Sequence, residues 1–135
     1  MKIFFFIITV VISHKAMAAE VCNGVKRNLS TAQKNEYAIE VAKQLKRDNQ
    51  AVQTVNVLES YQLDNWRILK VDTKVGDIAY LFYSDSPLVG NYINLWAGVA
   101  RPDETAEIEL WVKKNVSKLP PKLAKCFSWQ VTKRK

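Results

Sequence analysis

Two cysteines, Cys22 and Cys126, are the reactive side chains whose chemistry this sequence defines most sharply. An even number of cysteines in an exported chain predicts a disulfide, and two cysteines allow one pairing within the chain. We therefore predict a structural Cys22–Cys126 crosslink that joins the start of the domain to its end. A redox-active pair would favour a Cys-x-x-Cys spacing, which this sequence lacks.

The expectation of export comes from the first 18 residues. They comprise the positive start Met1-Lys2, an apolar run of about ten residues over 3–12, and the small-x-small triplet Ala16-Met17-Ala18. This is the layout of a signal peptide cleaved after Ala18, because a membrane-spanning helix needs roughly 20 apolar residues. An uncleaved anchor and a lipoprotein acylated at Cys22 are weaker alternatives. No later segment is long and apolar enough to span a membrane, so we expect a periplasmic or secreted protein.

Histidine chemistry is removed together with the predicted signal peptide. The only histidine of the chain is His14, so a mature domain over 19–135 contains none. This excludes Ser-His-Asp and Cys-His nucleophilic catalysis, and it excludes ordinary zinc sites because the two cysteines are used in the disulfide. The sequence contains no glycine-rich phosphate loop and no calcium-loop spacing. We predict no catalytic residue, no metal and no cofactor.

Carboxylates are the remaining candidates for catalysis. Asp64, Asp72, Asp77 and Asp85 lie at or near the ends of predicted strands. A glycosidase needs two carboxyl groups about 5 to 9.5 Å apart across a cleft. Aspartate is also favoured in turns through local hydrogen bonds, and this interpretation is preferred here. A small carboxylate-based hydrolase is therefore kept as an alternative, and we predict that the protein is not an enzyme.

The net charge points to the kind of partner. The chain has 20 basic and 13 acidic residues, and loss of Lys2 and Lys15 with the signal peptide leaves a net charge of +5. The positive charges are spread along the chain and do not interleave with aromatic residues, so no nucleic-acid partner is expected. A net positive charge favours capture of an acidic partner, which we expect to be another protein.

The elements that must position these residues follow from periodicity. A capping box formed by Ser30 and Gln33 predicts that a helix covers 30–48. Alternating patterns and turn residues predict strands over 52–61, 66–73, 78–83 and 91–100. The end signals favour a helix over 102–115, with a strand as the alternative, and alternation predicts a final strand over 126–132.

These elements predict an α+β fold in the order α-β-β-β-β-α-β, with an antiparallel meander in a single domain over 19–135. The strand over 78–83 is apolar on both faces, which is typical of a central strand. We expect the first helix to cover one face and the second helix to pack on that face or at an edge. The layout is similar in a loose way to cystatin-like folds and to small exported colicin-immunity-type proteins. This resemblance implies a fold and no site residue.

One candidate binding feature is the loop over 84–90. Its apolar tip, Pro87, Leu88 and Val89, could insert into a cleft of a partner, and the proline limits the entropy lost on docking. The alternative is that Leu88 and Val89 fold back onto the sheet edge.

A second candidate is the face formed by Tyr92, Asn94 and Trp96 on the predicted fourth strand. Tyrosine and tryptophan are preferred interface anchors. The alternative is that this face packs under the second helix beside Trp111.

Together these features predict an exported, non-catalytic binding protein, best matched to an inhibitor or immunity protein that blocks an envelope-targeted enzyme or toxin. A small envelope protein that binds a lipid, a glycan or another ligand is the main alternative.

Overall fold

The first helix begins where the sequence predicts, at a capping box. In the computed structural model, which describes residues 20–133, Ser30 Oγ accepts a 3.1 Å hydrogen bond from the Gln33 amide, and Gln33 Oε1 accepts one from the Ser30 amide. The predicted signal peptide with its cleavage point after Ala18, and residues 134–135 of the basic tail, lie outside the described residues.

The described residues form three long helices and one sheet. In chain order the elements are α1 (Thr31–Asp48), β1 (Asn56–Leu63), β2 (Trp66–Asp72), β3 (Ala79–Tyr83), β4 (Asn94–Ala97), α2 (Thr105–Asn115) and α3 (Pro121–Lys133). A short 3₁₀ turn, Pro102–Glu104, leads into α2. The predicted α+β class is confirmed, as is the order of one helix, four strands and a second helix, whereas the predicted final strand is not observed. None of the helices in residues 20–133 is long and apolar enough to cross a membrane.

The four strands form an antiparallel sheet in the order β1-β2-β3-β4, as predicted for a meander. Every residue of β3 is buried, which confirms that its two apolar faces belong to a central strand. The edge strand β1 contains a β-bulge between Val57 and Glu59, so Leu58 has no partner in the ladder to β2. The fourth strand is shorter than predicted, because regular pairing covers only Asn94–Ala97.

The helices cover opposite faces of the sheet, whereas we expected them on the same face or at an edge. Tyr37, Val41 and Leu45 of α1 pack with Leu81 and Tyr83 on one face. The other face is covered by α2 and α3, and its buried core comprises Tyr61, Ile68, Tyr80, Phe82, Ile108, Val112, Val116, Leu119, Leu123, Ala124, Cys126 and Phe127. The reason is already present in β3, because a strand with two apolar faces needs cover on both sides.

The final strand predicted over 126–132 is wrong, because these residues belong to α3. Phe127, Trp129 and Val131 alternate as they would in a strand. The buried positions Leu123, Ala124 and Phe127, however, lie at the i, i+1, i+4 spacing of a helix face. Pro121 occupies the first helical position, where its missing N–H costs nothing. The segment over 102–115 is confirmed as mostly helical, which rules out its alternative as a strand.

The predicted disulfide is confirmed. Cys22 and Cys126 are bonded, with their Cα atoms 4.8 Å apart and a sequence separation of 104. The disulfide connects the segment before α1 to helix α3. We expected it to end on a strand, but the residues around Cys126 form a helix. Cys126 of α3 is fully buried and Cys22 is partly buried against the same core, so the crosslink joins two distant parts of the chain at the edge of the hydrophobic interior.

Candidate functional site

The β3–β4 loop, residues 84–93, presents an apolar tip to solvent. Leu88 and Val89 are 53% and 75% exposed, so they do not fold back onto the sheet. Pro87 between β3 and this tip is fully buried, and it therefore acts as part of the base of the loop and not as a contact residue. Of the three predicted tip residues, the structure leaves Leu88 and Val89 available to a partner.

A buried glutamine of α1 holds the base of this loop. Gln44 Nε2 donates to the carbonyl oxygens of Pro87 and Gly90, at 3.0 and 3.1 Å. Its Oε1 accepts a 2.7 Å hydrogen bond from the hydroxyl of Tyr83, the last residue of β3. Gln44 is 3% exposed, and a buried amide with all these partners restrains the groups that it contacts. The loop is thereby fixed to both the helix and the sheet.

Further contacts tie the loop to the last turn of α1 and to itself. Arg47 Nη2 donates a 2.9 Å hydrogen bond to Asn91 Oδ1, and the Tyr92 hydroxyl donates to Asp48 Oδ2. Within the tip, Ser86 Oγ accepts from the Leu88 amide at 3.2 Å, and the Ser86 carbonyl oxygen accepts from the amides of Val89 and Gly90 at 3.0 and 3.2 Å. The apolar tip is therefore displayed on a loop whose backbone is held at both ends.

Tyr92, Asn94 and Trp96 do not form the single face that was predicted. Tyr92 packs on the α1 side, with its ring 6.3 Å from that of Tyr83. Trp96 packs on the opposite side of the sheet, against the cluster under α2 and α3. Regular β4 pairing begins only at Asn94, and the irregular backbone before it breaks the two-residue alternation on which the prediction depended.

The aromatic anchor predicted at Trp96 is partly buried and packs against the core. Its ring lies 5.8 Å from that of Tyr80 and 5.9 Å from that of Phe127. Asn94 on the same side donates from Nδ2 to the carbonyl oxygen of Asn115 in α2, at 3.4 Å. The alternative interpretation, packing of this face under the second helix beside Trp111, holds for Asn94, which bonds to α2, whereas Trp96 lies against Tyr80 of β3 and Phe127 of α3.

Three of the four aspartates that could have formed a catalytic pair lie in turns or bends, and Asp72 is the last residue of β2. Asp72 Oδ1 accepts from the backbone amide of Lys74, and that hydrogen bond together with the Lys74 ammonium lowers the pKa of Asp72. Asp85 Oδ1 accepts from the amide of Ser86, and Asp64 occupies a left-handed turn position with φ of 54°. Asp77 is exposed. Within residues 20–133, no three histidine, cysteine, aspartate or glutamate residues are grouped as metal ligands would be.

A cluster of polar and charged side chains around Glu59, which the sequence analysis did not single out, lies on the face of the sheet that α2 and α3 cover. Glu59 Oε2 accepts a 2.5 Å hydrogen bond from the Tyr61 hydroxyl, and Arg27 Nη2 and Lys70 Nζ lie 3.5 and 3.9 Å from it. Burial, followed by the Glu59 hydrogen bond and charge, raises the pKa of Tyr61. Glu59 and Tyr61 are two residues apart on β1 and therefore share a face. The contribution of Lys70 depends on strand register, which sequence reasoning did not predict.

A groove between α1 and the segment over 53–58 is a second feature that the sequence analysis missed. It consists of two adjoining hollows of about 360 and 550 Å³ that share Ala38, Ile39 and Val55. We call it the α1–β1 groove, and its lining is completed by Thr31, Lys34, Asn35, Ala42, Lys43, Lys46, Gln53, Thr54, Asn56, Val57 and Leu58. The only sequence signal was Ile39, an isoleucine in α1 that lies outside the buried stripe of the helix.

Comparison with known proteins adds no relative to this description. No protein-family model, curated protein or solved structure matches the chain. Functional inference therefore depends on the β3–β4 loop, the α1–β1 groove and the chemistry of their residues.

Proposed function

We propose that this protein is an exported, non-catalytic binding module that inserts the tip of the β3–β4 loop into a cleft of a partner protein. The partner best matched to this role is an envelope-targeted enzyme or toxin, which the module would inhibit. The observation that carries the proposal is the exposure of Leu88 and Val89 on a loop whose base is hydrogen-bonded to buried Gln44.

Preorganisation is the physical reason why this loop suits docking. Ordering a flexible loop on binding costs free energy, and a loop that is already held in one shape avoids most of that cost. The Gln44 hydrogen bonds and the buried Pro87 restrain the base, so binding need only immobilise the side chains at the tip. Two adjacent branched apolar side chains then supply burial energy where a cleft can enclose them.

Export is supported by residues 1–18 and by the disulfide. A signal-peptide pattern precedes a domain whose two cysteines are crosslinked, and such crosslinks persist in oxidising compartments. The net charge of +5 after cleavage favours an acidic partner, since long-range attraction speeds encounter at low salt. Inhibition by a bound loop requires no catalytic residue of its own.

The proposal is tested by comparing tip and control variants in one capture experiment. The tagged mature protein is incubated with envelope extract, crosslinked and purified, beside Leu88→Ser/Val89→Ser and beside Leu110→Ser on α2. Leu110 is 67% exposed and lies away from the loop, so its variant controls for the loss of an exposed leucine. We expect the wild-type protein and the Leu110 variant to recover the same stoichiometric partner, and the loop variant to lose it.

Two results would contradict this function. Recovery of the same partner by all three proteins would show that the tip is not the docking element. Recovery of no stoichiometric protein by any of them, from extracts of cells that make the protein, would reject a protein-binding role.

A further inference from the structure

We propose that the α1–β1 groove binds a single-chain anionic lipid, with the acyl chain on its apolar floor and the head group at Lys43 and Lys46. This site lies outside the β3–β4 loop and does not depend on the function proposed for that loop. Gln44, Arg47 and Asp48 of α1 contact the loop, whereas the groove is lined by other positions of the same helix.

The floor of the groove is apolar and open to solvent. Ala38, Ala42 and Val55 form its centre, and Ile39 and Leu58 extend it. Ile39 is 62% exposed on a helix whose other outward positions are mainly polar. Single exposed apolar residues are ordinary, but a continuous apolar strip recessed between a helix and a strand is typical of a binding groove.

The dimensions of the groove suit one acyl chain. Its lining residues on α1 run from Thr31 to Lys46, which at 1.5 Å per residue corresponds to about 22 Å. One leaflet of a bilayer holds its chains within about 15 Å, half of a hydrocarbon core of about 30 Å. The groove can therefore hold one membrane-length chain and leave room for a head group at its end.

The charges around the groove select an anion. The three charged residues that line the two hollows are all lysines, namely Lys34, Lys43 and Lys46. Lys43 lies 3.9 Å from Glu40, while Lys34 and Lys46 have no carboxylate within 4 Å among residues 20–133. Lys43 and Lys46 also border a neighbouring hollow with Arg47 and Glu40, so this end of the groove carries three cations and one carboxylate. An anionic head group at that end is attracted by several cations at once.

The edge of β1 argues against an extended peptide as the occupant. A peptide that adds to a sheet edge needs a regular ladder of free backbone groups. The bulge at Leu58 interrupts that ladder, as bulges on edge strands commonly do, and places the Leu58 side chain in the groove lining. Further along β1, Gln62 is already bridged to Lys26 by two 2.8 Å backbone hydrogen bonds. An acyl chain has no hydrogen bonds to satisfy and is not hindered by this edge.

The test uses dodecanoate, below its micelle concentration, as the anionic probe and dodecyl maltoside as a neutral probe with the same chain. Isothermal titration of the mature protein should give saturable binding of one dodecanoate, weaker binding of the maltoside, and a loss of dodecanoate affinity as salt is raised. Chemical-shift changes on binding should be confined to residues 31–46 and 53–58.

Matched variants distinguish the contribution of the apolar floor from that of Lys43 and Lys46. Ile39→Asp should weaken dodecanoate binding at least about tenfold, because it removes an apolar contact and adds a repelling charge. Lys43→Gln/Lys46→Gln should weaken dodecanoate binding and leave dodecyl maltoside binding unchanged. Leu110→Asp and Lys113→Gln/Lys114→Gln on α2 are the controls and should bind both probes as the wild-type protein does. All of these positions are exposed, and thermal melts verify that each variant is folded.

Four outcomes would overturn the proposal. They are absence of saturable dodecanoate binding, unchanged binding by Ile39→Asp, equal affinity for the two probes, and binding of an acidic peptide without binding of dodecanoate. The last outcome would assign the groove to a protein partner. Loss of the partner in the Leu88→Ser/Val89→Ser capture experiment bears on the loop alone, so the two proposals fail separately.

Discussion

The hydroxyl of Tyr83 donates a 2.7 Å hydrogen bond to Oε1 of Gln44, in the interior between α1 and the sheet. The same glutamine donates its two amide hydrogens to Pro87 and Gly90. One side chain thus connects the last residue of β3, the helix, and the loop that leaves β3. Gln44, Tyr83 and Pro87 are buried, so the removal of Gln44 leaves buried polar groups unsatisfied, whereas Gly90 is exposed.

Replacement of Gln44 should loosen the β3–β4 loop selectively. We expect Gln44→Leu to lower the free energy of unfolding by about 1–3 kcal/mol, because it leaves the Tyr83 hydroxyl and two carbonyl groups without their partner. Urea denaturation measures the loss, and hydrogen exchange should show faster exchange at residues 84–91. The exposed Gln50→Ala is the control and should change neither. Unchanged exchange in the loop would show that Gln44 does not restrain it.

Two tyrosines should resist ionisation until the protein unfolds. Burial raises the pKa of both Tyr61 and Tyr83, with Glu59 adding to the effect at Tyr61 and Glu40 at Tyr83. The unfolded chain therefore loses these protons first, near pH 10, so both groups favour the folded state below pH 10 and stability falls as pH rises above it. Tyrosinate absorbance measured against pH, beside urea melts, tests this expectation. In Tyr61→Phe/Tyr83→Phe the alkaline decline in stability should be smaller, and an identical decline would contradict it.

Loss of the Cys22–Cys126 crosslink should destabilise the fold without changing its topology. Closing a loop of this length in the unfolded chain accounts for about 2–5 kcal/mol of stability. We expect Cys22→Ser/Cys126→Ala to show that loss in urea denaturation, and reductant to shift the wild-type melt and leave the variant unaffected. The intact mass of the oxidised protein should be two hydrogens below that of its reduced form. An equal shift of the melt of both proteins by reductant would show that the shift does not come from reduction of the Cys22–Cys126 disulfide.

A pair of substitutions in α3 should distinguish the observed helix from a strand. The Phe127 ring lies 5.1 Å from the rings of both Tyr80 and Phe82 and is fully buried, whereas Trp129 is only half-buried. We expect Phe127→Ala to cost about 3–5 kcal/mol and Trp129→Ala to cost less, despite the larger side chain of tryptophan. Thermal or urea unfolding measures both. Similar losses at the two positions would match a strand with both side chains facing the core.

Local patterns in the sequence were sufficient for several parts of this fold. The capping box of Ser30 and Gln33 defined the start of α1, because its hydrogen bonds join residues three apart. The two-sided apolar pattern of 78–83 identified the central strand, because burial on both faces removes the usual alternation. The disulfide followed from the presence of only two cysteines in a chain with a signal-like start.

Other parts were decided only by the tertiary structure, because they depend on contacts between residues that are distant in sequence. Alternation in 126–132 matched a strand, yet packing of Leu123 and Phe127 against the sheet selects a helix. Gln44 reaches residues 39 to 46 positions away, so no local pattern could show that it holds the β3–β4 loop. The groove likewise exists only where Ile39 of α1 meets the bulged edge of β1. The sequence by itself determined which residues are apolar, charged or crosslinked, and the assembled sheet decided which of them stay exposed.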